Sequence, residues 1–169
     1  MKRLAVFVAQ RMFRDEEYLV PRQMFDAADI SCRVFSSVKG TLHGKLGAEI
    51  ESDALIDDFK ADDFDAVFFV GGGGAQEYVD HPVIHRVIQE MDRQKKIISA
   101  ICMSPLILGS AGLLRGRRAT VFPGDRDKLT AMGVNVSDDP VVRDGRLLTG
   151  NGPDAAEAFA RTLITMLEE

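Results

Sequence analysis

Two cysteines, Cys32 and Cys102, are too few for a disulfide framework, so a reducing cytoplasm is the expected setting. No apolar run approaches the ~18 residues that a membrane-crossing helix needs, which argues against a membrane role. The start, MKRLAVFVAQ, is basic, but its apolar run is short and lacks a convincing cleavage site, so it reads as structure rather than as a signal peptide. There is no basic excess: 21 Lys and Arg face 26 Asp and Glu, and a net charge of −5 argues against nucleic acid as a partner. The one basic cluster, Arg115, Arg117 and Arg118, reads as a solvated turn in preference to a phosphate site. Repeats, linkers and low-complexity stretches are absent, and 169 residues suffice for one domain, expected over 1–169.

What is present alternates between strand and helix patterns. Residues 2–9 form a short apolar run suited to a buried parallel strand, followed by helix-like spacing over 15–29 with Pro21 inside it. Residues 31–37 are strand-like, and turn-spaced glycines over 38–51 suggest a small hairpin beside the sheet. DAVFFV (65–70) is a second buried strand running into Gly71–Gly74. Asp80 offers an N-cap and Pro82 a first turn for a helix to about Lys95. KIISAI (96–101) is a third buried strand that ends at Cys102. Beyond it come a short helix over 104–112, a strand over 118–122 and a helix over 125–132. A hairpin turning at Asp144–Gly145 and an amphipathic helix over 153–169 close the chain. The pattern predicts an α/β fold with a mostly parallel sheet covered on both faces.

Ligands of such sheets gather at the carboxyl ends of the strands, where Cys102 lies. A nucleophile on a sharp strand-to-helix turn needs small neighbours two residues away, and Ala100 and Ser104 meet that need without the usual glycines. A following helix would direct its N–H groups at the sulfur and favour the thiolate; the alternative is a buried thiol acting as a small hydrophobe. GGGGAQ fits neither GxGxxG nor GxxxxGK, which leaves an oxyanion-binding backbone or a plain turn. His81 and His85 have the i, i+4 spacing of a metal pair, but no third ligand is evident and exposed helix positions are the favoured reading. No metal and no cofactor are expected.

VFFVGGGG, KIISAICMSPLILGSAGLLRGRRATVFPG and VVRDGRLLTGNGPDAAEAFA together resemble the DJ-1/ThiJ/PfpI family, within the class I glutamine amidotransferase-like superfamily, over essentially the whole chain. The resemblance implies a flavodoxin-like three-layer sandwich, a homodimer and a reactive Cys102 on a nucleophile elbow. It assigns Glu17, four residues before Pro21, as the carboxyl partner of the sulfur. Gly72, Gly73, the N–H of Met103 and Phe122 then correspond to the oxyanion pocket and its walls. Two departures bear on activity. Met103 stands where protease-like members carry histidine after the cysteine, and Phe122 stands where other members carry a histidine before a proline. Asn151 also replaces a frequent arginine. Glu77 matches an acidic residue that approaches a neighbouring subunit's site in PfpI-like oligomers, although solvation and charge placement at the helix N-terminus are the favoured reading.

Histidine is the usual general base, so its loss at both positions disfavours a classical cysteine protease. The expected function is cysteine chemistry on small reactive carbonyls, glyoxalase- or deglycase-like, or a part in oxidative-stress response. The alternative is a non-enzymatic redox sensor or chaperone-like protein working through Cys102 sulfinic acid, with an oxidant in place of a small-molecule substrate.

Overall fold

β1 (Arg3–Phe7) sends Ala5 and Phe7 to one side and Leu4 and Val6 to the other, as the two-residue period of a strand requires. Both sides are buried, the signature of a sheet covered on two faces. The computed structural model describes residues 1–169. After β1 come β2 (Arg11–Phe13), α1 (Asp15–Ala27), β3 (Ser31–Ser36), β4 (Gly40–Gly44), β5 (Glu49–Ser52) and β6 (Ala54–Leu55). Then follow β7 (Ala66–Phe69), α2 (Pro82–Arg93), β8 (Ile97–Ile101), α3 (Pro105–Ser110) and β9 (Arg118–Ala119). The chain ends with α4 (Arg126–Ala131), β10 (Asn135–Val136), β11 (Val141–Asp144), β12 (Leu147–Gly150) and α5 (Ala156–Glu168).

Seven strands make one sheet in the order β11-β12-β8-β7-β1-β3-β6, parallel throughout except for the β11–β12 hairpin. One face packs against α2 and α3 through Phe7, Phe69, Ile84, Ile88 and Ile107. The other packs against α1 and α5 through Val6, Phe25, Phe68, Phe159 and Leu163. The result is the expected flavodoxin-like α/β sandwich. From β1 the chain moves to β3 on one side, and later builds β7 and β8 on the other. Strand order therefore reverses beside β1, and a crevice at the carboxyl ends of β1, β7 and β8 follows from that reversal. No helix is long and apolar enough to cross a membrane.

Several expected elements differ in extent. The strand expected over 118–122 is only Arg118–Ala119, and it pairs with β10 outside the main sheet. Beyond it the backbone serves other partners: Thr120 N–H donates to Thr149 Oγ1 and Phe122 N–H to the Cys102 carbonyl. The helix expected over 104–112 is shortened to Pro105–Ser110. The hairpin over 38–51 forms as β4 and β5, and β2 joins it as a third, parallel strand.

Tyr78 ties the strand ends together below the crevice. Its buried hydroxyl donates to the Val8 carbonyl at 2.9 Å, accepts from Ser37 N–H at 3.1 Å and meets Ser36 Oγ at 3.3 Å. Tyr78→Phe strands those groups, so a loss of about 2 kcal/mol is expected in urea unfolding. An unchanged midpoint would show that the hydroxyl is dispensable.

Candidate active site

Cys102 follows β8 directly and has φ of +63°, in the left-handed region that side-chain-bearing residues rarely occupy. Such a conformation costs on the order of 1–3 kcal/mol and persists only where neighbours hold it. Here they do. Cys102 N–H donates to the Gly150 carbonyl at 2.9 Å, and its own carbonyl accepts from Phe122 N–H at 2.7 Å. Two residues on, Ser104 Oγ donates to the Val70 carbonyl at 2.8 Å, fixing the exit of the turn to β7. The elbow is thus clamped between the ends of β7 and β12 and the segment after β9.

Glu17 lies in the first turn of α1 and is completely buried, yet neither carboxyl oxygen has a hydrogen-bond partner. Gly71 explains how it reaches the sulfur. A Cβ on Gly71 would lie 2.5 Å from Glu17 Oε1 and 2.5 Å from Cys102 Cβ, so the carboxyl and the cysteine meet across the space that this glycine leaves empty. Gly72 has φ of +100° and lies against β2, where a Cβ would come within 2.4 Å of the Met12 carbonyl oxygen and the Arg14 nitrogen. Only glycine fits there, and its N–H is left facing the sulfur.

Burial pushes the Glu17 carboxyl up to about 8, against the lowering influence of the nearby thiol, Arg14 and the Gly71 N–H. Burial likewise pushes the Cys102 thiol up to about 12, helped by the negative charge of Glu17, while the N–H groups of Gly72 and Met103 draw it down. Burial thus works against the thiolate that the following helix is expected to favour. α3 has six residues, and Cys102 is 8% exposed, so desolvation opposes the dipole of a short helix.

The remaining expected residues divide. Met103 contributes its backbone N–H, and its side chain packs into the core on the α2 face of the sheet. Phe122 reaches the elbow through its N–H, and the residue is 44% exposed. Gly73 has open space where a Cβ would stand; it floors a cavity of about 420 Å³ with Gly74, Gln10, Arg11, Met12 and Glu77. Glu77 accepts from Ser37 Oγ at 3.0 Å. Asn151 donates its N–H to the Pro140 carbonyl. His81 Nδ1 caps α2 by accepting from Val83 N–H, and His85 Nε2 donates to the Val79 carbonyl at 2.6 Å. Both rings are thus occupied by local backbone, and no group of three or more His, Cys, Asp or Glu is placed to hold a metal ion. Cys32 is half-buried on β3, away from the elbow, and burial raises it to about 11. A larger groove, about 700 Å³, runs between Ile56–Asp63 and α2 and contains none of these groups.

Sequence reasoning passed over Arg14. It is the N-cap residue of α1, bonded through its N–H to the Gly71 carbonyl at 2.9 Å, and its charge acts on both Glu17 and Cys102. Three residues before the assigned glutamate, it was within reach of notice, but no spacing rule marks it.

Comparison with known proteins places the chain in a family and a fold. A model of the DJ-1/PfpI family matches residues 2–166. A deglycase of Pyrococcus horikoshii is 29% identical over 163 residues, covering 96% of this chain and 98% of that protein. A glutathione-independent glyoxalase of Caenorhabditis elegans is 33% identical over 122 residues, covering 72% of this chain and 65% of that protein. The crystal structure of a ThiJ/PfpI domain protein from Brachyspira murdochii superposes with a TM-score of 0.95 at 29% identity, covering 99% of this chain and 96% of that one.

Proposed function

We propose, from the premise that the chain belongs to the DJ-1/PfpI family, that it performs cysteine-dependent chemistry on small reactive aldehydes. The reading rests on one observation: a completely buried carboxyl without a hydrogen-bond partner, held against a cysteine on a left-handed elbow. Relatives named deglycase and glyoxalase support the substrate class. Once ionised, Glu17 takes the Cys102 proton as the sulfur attacks the aldehyde carbon. The S–C bond forms, the carbonyl π pair moves to oxygen beneath the Gly72 and Met103 N–H groups, and Glu17 returns the proton to that oxygen. The product is a hemithioacetal, and no oxidant is consumed. Conversion of a 2-oxoaldehyde to a 2-hydroxy acid is a net addition of water, so this chemistry needs no redox cofactor.

A carboxyl titrating near 8 replaces the missing imidazole as a base matched to neutral or mildly alkaline pH. Peptide cleavage demands more, because an amine leaving group must also be protonated, and Met103 and Phe122 stand where imidazole would be needed. The test is methylglyoxal consumption with lactate formation by the purified protein and by Cys102→Ala. Activity lost in the variant is the expected result; equal rates in both proteins would overturn the assignment.

One observation favours a second reading. Below about pH 8 Glu17 keeps its proton and is a donor beside the sulfur, suited to hold a sulfinate made by two successive oxygen transfers from peroxide. In that case Glu17→Asp, shorter by one methylene, accumulates less of the two-oxygen product in intact-mass spectra across a peroxide titration. The proposal also includes a cytoplasmic homodimer. Two unpaired cysteines support the compartment, and the exposed apolar side chains of Met12, Leu19 and Leu46 near the start of α1 support a partner surface.

A further inference from the structure

Arg14 brings a positive charge to a site without imidazole, and its bonding leaves part of that charge unused. Its backbone is fastened to Gly71, the glycine whose missing side chain lets Glu17 and Cys102 meet. Its Nε and Nη2 both converge on a single oxygen of Glu16, Oε2, each at 2.9 Å. A two-pronged pair would engage both carboxylate oxygens. Here Glu16 Oε1 is buried without a partner, and Arg14 Nη1 has no protein acceptor. The Arg14 side chain is 30% exposed, so a small molecule from solvent can reach it. The Glu17 carboxyl, on which the Arg14 charge acts, is completely buried and also unpartnered. A cation with a free edge thus stands within electrostatic reach of the groups that would handle an aldehyde.

We propose that Arg14 makes the site selective for aldehydes that carry a carboxylate next to the carbonyl, 2-oxo acids of the glyoxylate type, with Nη1 holding the carboxylate while Cys102 adds to the aldehyde carbon. The inference rests on the thiol-addition reading given under Proposed function. The bond changes are those of that addition: sulfur joins carbon, the carbonyl oxygen gains the thiol proton, and the carboxylate is unchanged. The carboxylate binds while Glu17 still holds its proton, and the Arg14 charge offsets the negative charge that Glu17 gains when it ionises to act as the base. One charge-assisted hydrogen bond corresponds to about a ten- to hundredfold preference.

Glyoxylate and glyoxal make the comparison, since they share the aldehyde and nearly share size, and differ in a carboxylate against a second aldehyde. The measurement is protection of Cys102 from limiting iodoacetamide across a concentration series of each, read by peptide mapping. In Arg14→Gln the ratio of half-protecting concentrations, glyoxal over glyoxylate, is expected to fall at least tenfold from its wild-type value. Arg14→Lys should retain part of the preference, and Glu16→Gln, which frees the guanidinium, should widen it. Because both half-protecting concentrations are read in the same protein, any change that a variant makes to Cys102 or Glu17 acts on both aldehydes and divides out of the ratio. If both aldehydes protect but the ratio is the same in wild type and Arg14→Gln, the selectivity inference is overturned and thiol addition stands. If neither aldehyde protects Cys102 in the wild-type protein, thiol addition itself fails, and this inference with it.

Discussion

Glu17→Gln is expected to fold more stably than wild type at neutral and alkaline pH, with an advantage that grows as pH rises from about 4.5 to about 8. The cause is the gap between the carboxyl's ordinary value of 4.5 and its value of about 8 in the native site. Across that interval the native state keeps a proton that the unfolded chain has released. Stability therefore falls with rising pH, by about 1.4 kcal/mol per unit at most. Below 4.5 both states are protonated and Glu17 costs nothing through ionisation. Above 8 the cost is complete, about 5 kcal/mol. Glutamine has no proton to lose, so its curve lacks this slope. Its amide adds one buried N–H that finds no acceptor in the wild-type arrangement, which offsets part of the gain by about 1–3 kcal/mol. The slope difference survives that offset. Urea unfolding of both proteins at pH 5, 6.5 and 8 reads it directly, and parallel curves would mean that the carboxyl is hydrated rather than dry.

This expense shows what the fold gives up to build the site. A completely buried, unpartnered carboxyl, a left-handed cysteine and two glycines that admit no side chain all converge at the ends of β7 and β8. Stabilising substitutions at functional positions commonly remove activity, and Glu17 is where that trade is expected to be sharpest here.

The sheet was legible because its strands carry the two-residue alternation and run into turn residues, as DAVFFV runs into four glycines. β2 was not. Three residues, RMF, carry no period, and Met12 at φ of +60° breaks any extended pattern. The run TVF after β9 reads as strand by composition, yet its N–H groups go to a threonine hydroxyl and to the Cys102 carbonyl, partners that no local pattern reveals. At the site, the elbow could be read from residue sizes around Cys102, whereas Glu17 was assigned through family resemblance. Its dryness depends on Gly71, fifty-four residues away in the chain, and so does the thiol's elevation. A following helix is visible in sequence, but the depth of burial that opposes its dipole is not. The His81 and His85 pair shows the converse: a metal-like spacing is occupied by the backbone of the turn it caps.

The second large effect concerns rate. If Glu17 is the base that relieves Cys102 of its proton, aldehyde turnover should rise with pH through about 8, as the carboxyl ionises, and should be weak at pH 6. A thiol held near 12 supplies almost no thiolate of its own in this range, so the carboxylate is the only route to the nucleophile that the site provides. General base catalysis is worth ~10²–10⁴ in rate, and Glu17→Gln should lose that much while keeping the shape of the pocket. What activity remains should no longer rise through pH 8, because the group that titrates there is gone. Glu17→Asp retains a titrating carboxyl but shortens its reach by one methylene, so an intermediate loss with the pH response preserved is expected. Initial rates of methylglyoxal consumption from pH 6 to 9 for the three proteins decide the matter. A wild-type rate already at its plateau at pH 6 would mean that the sulfur is ionised without help from Glu17, and the carboxyl would then act as a proton donor to the substrate oxygen rather than as the base.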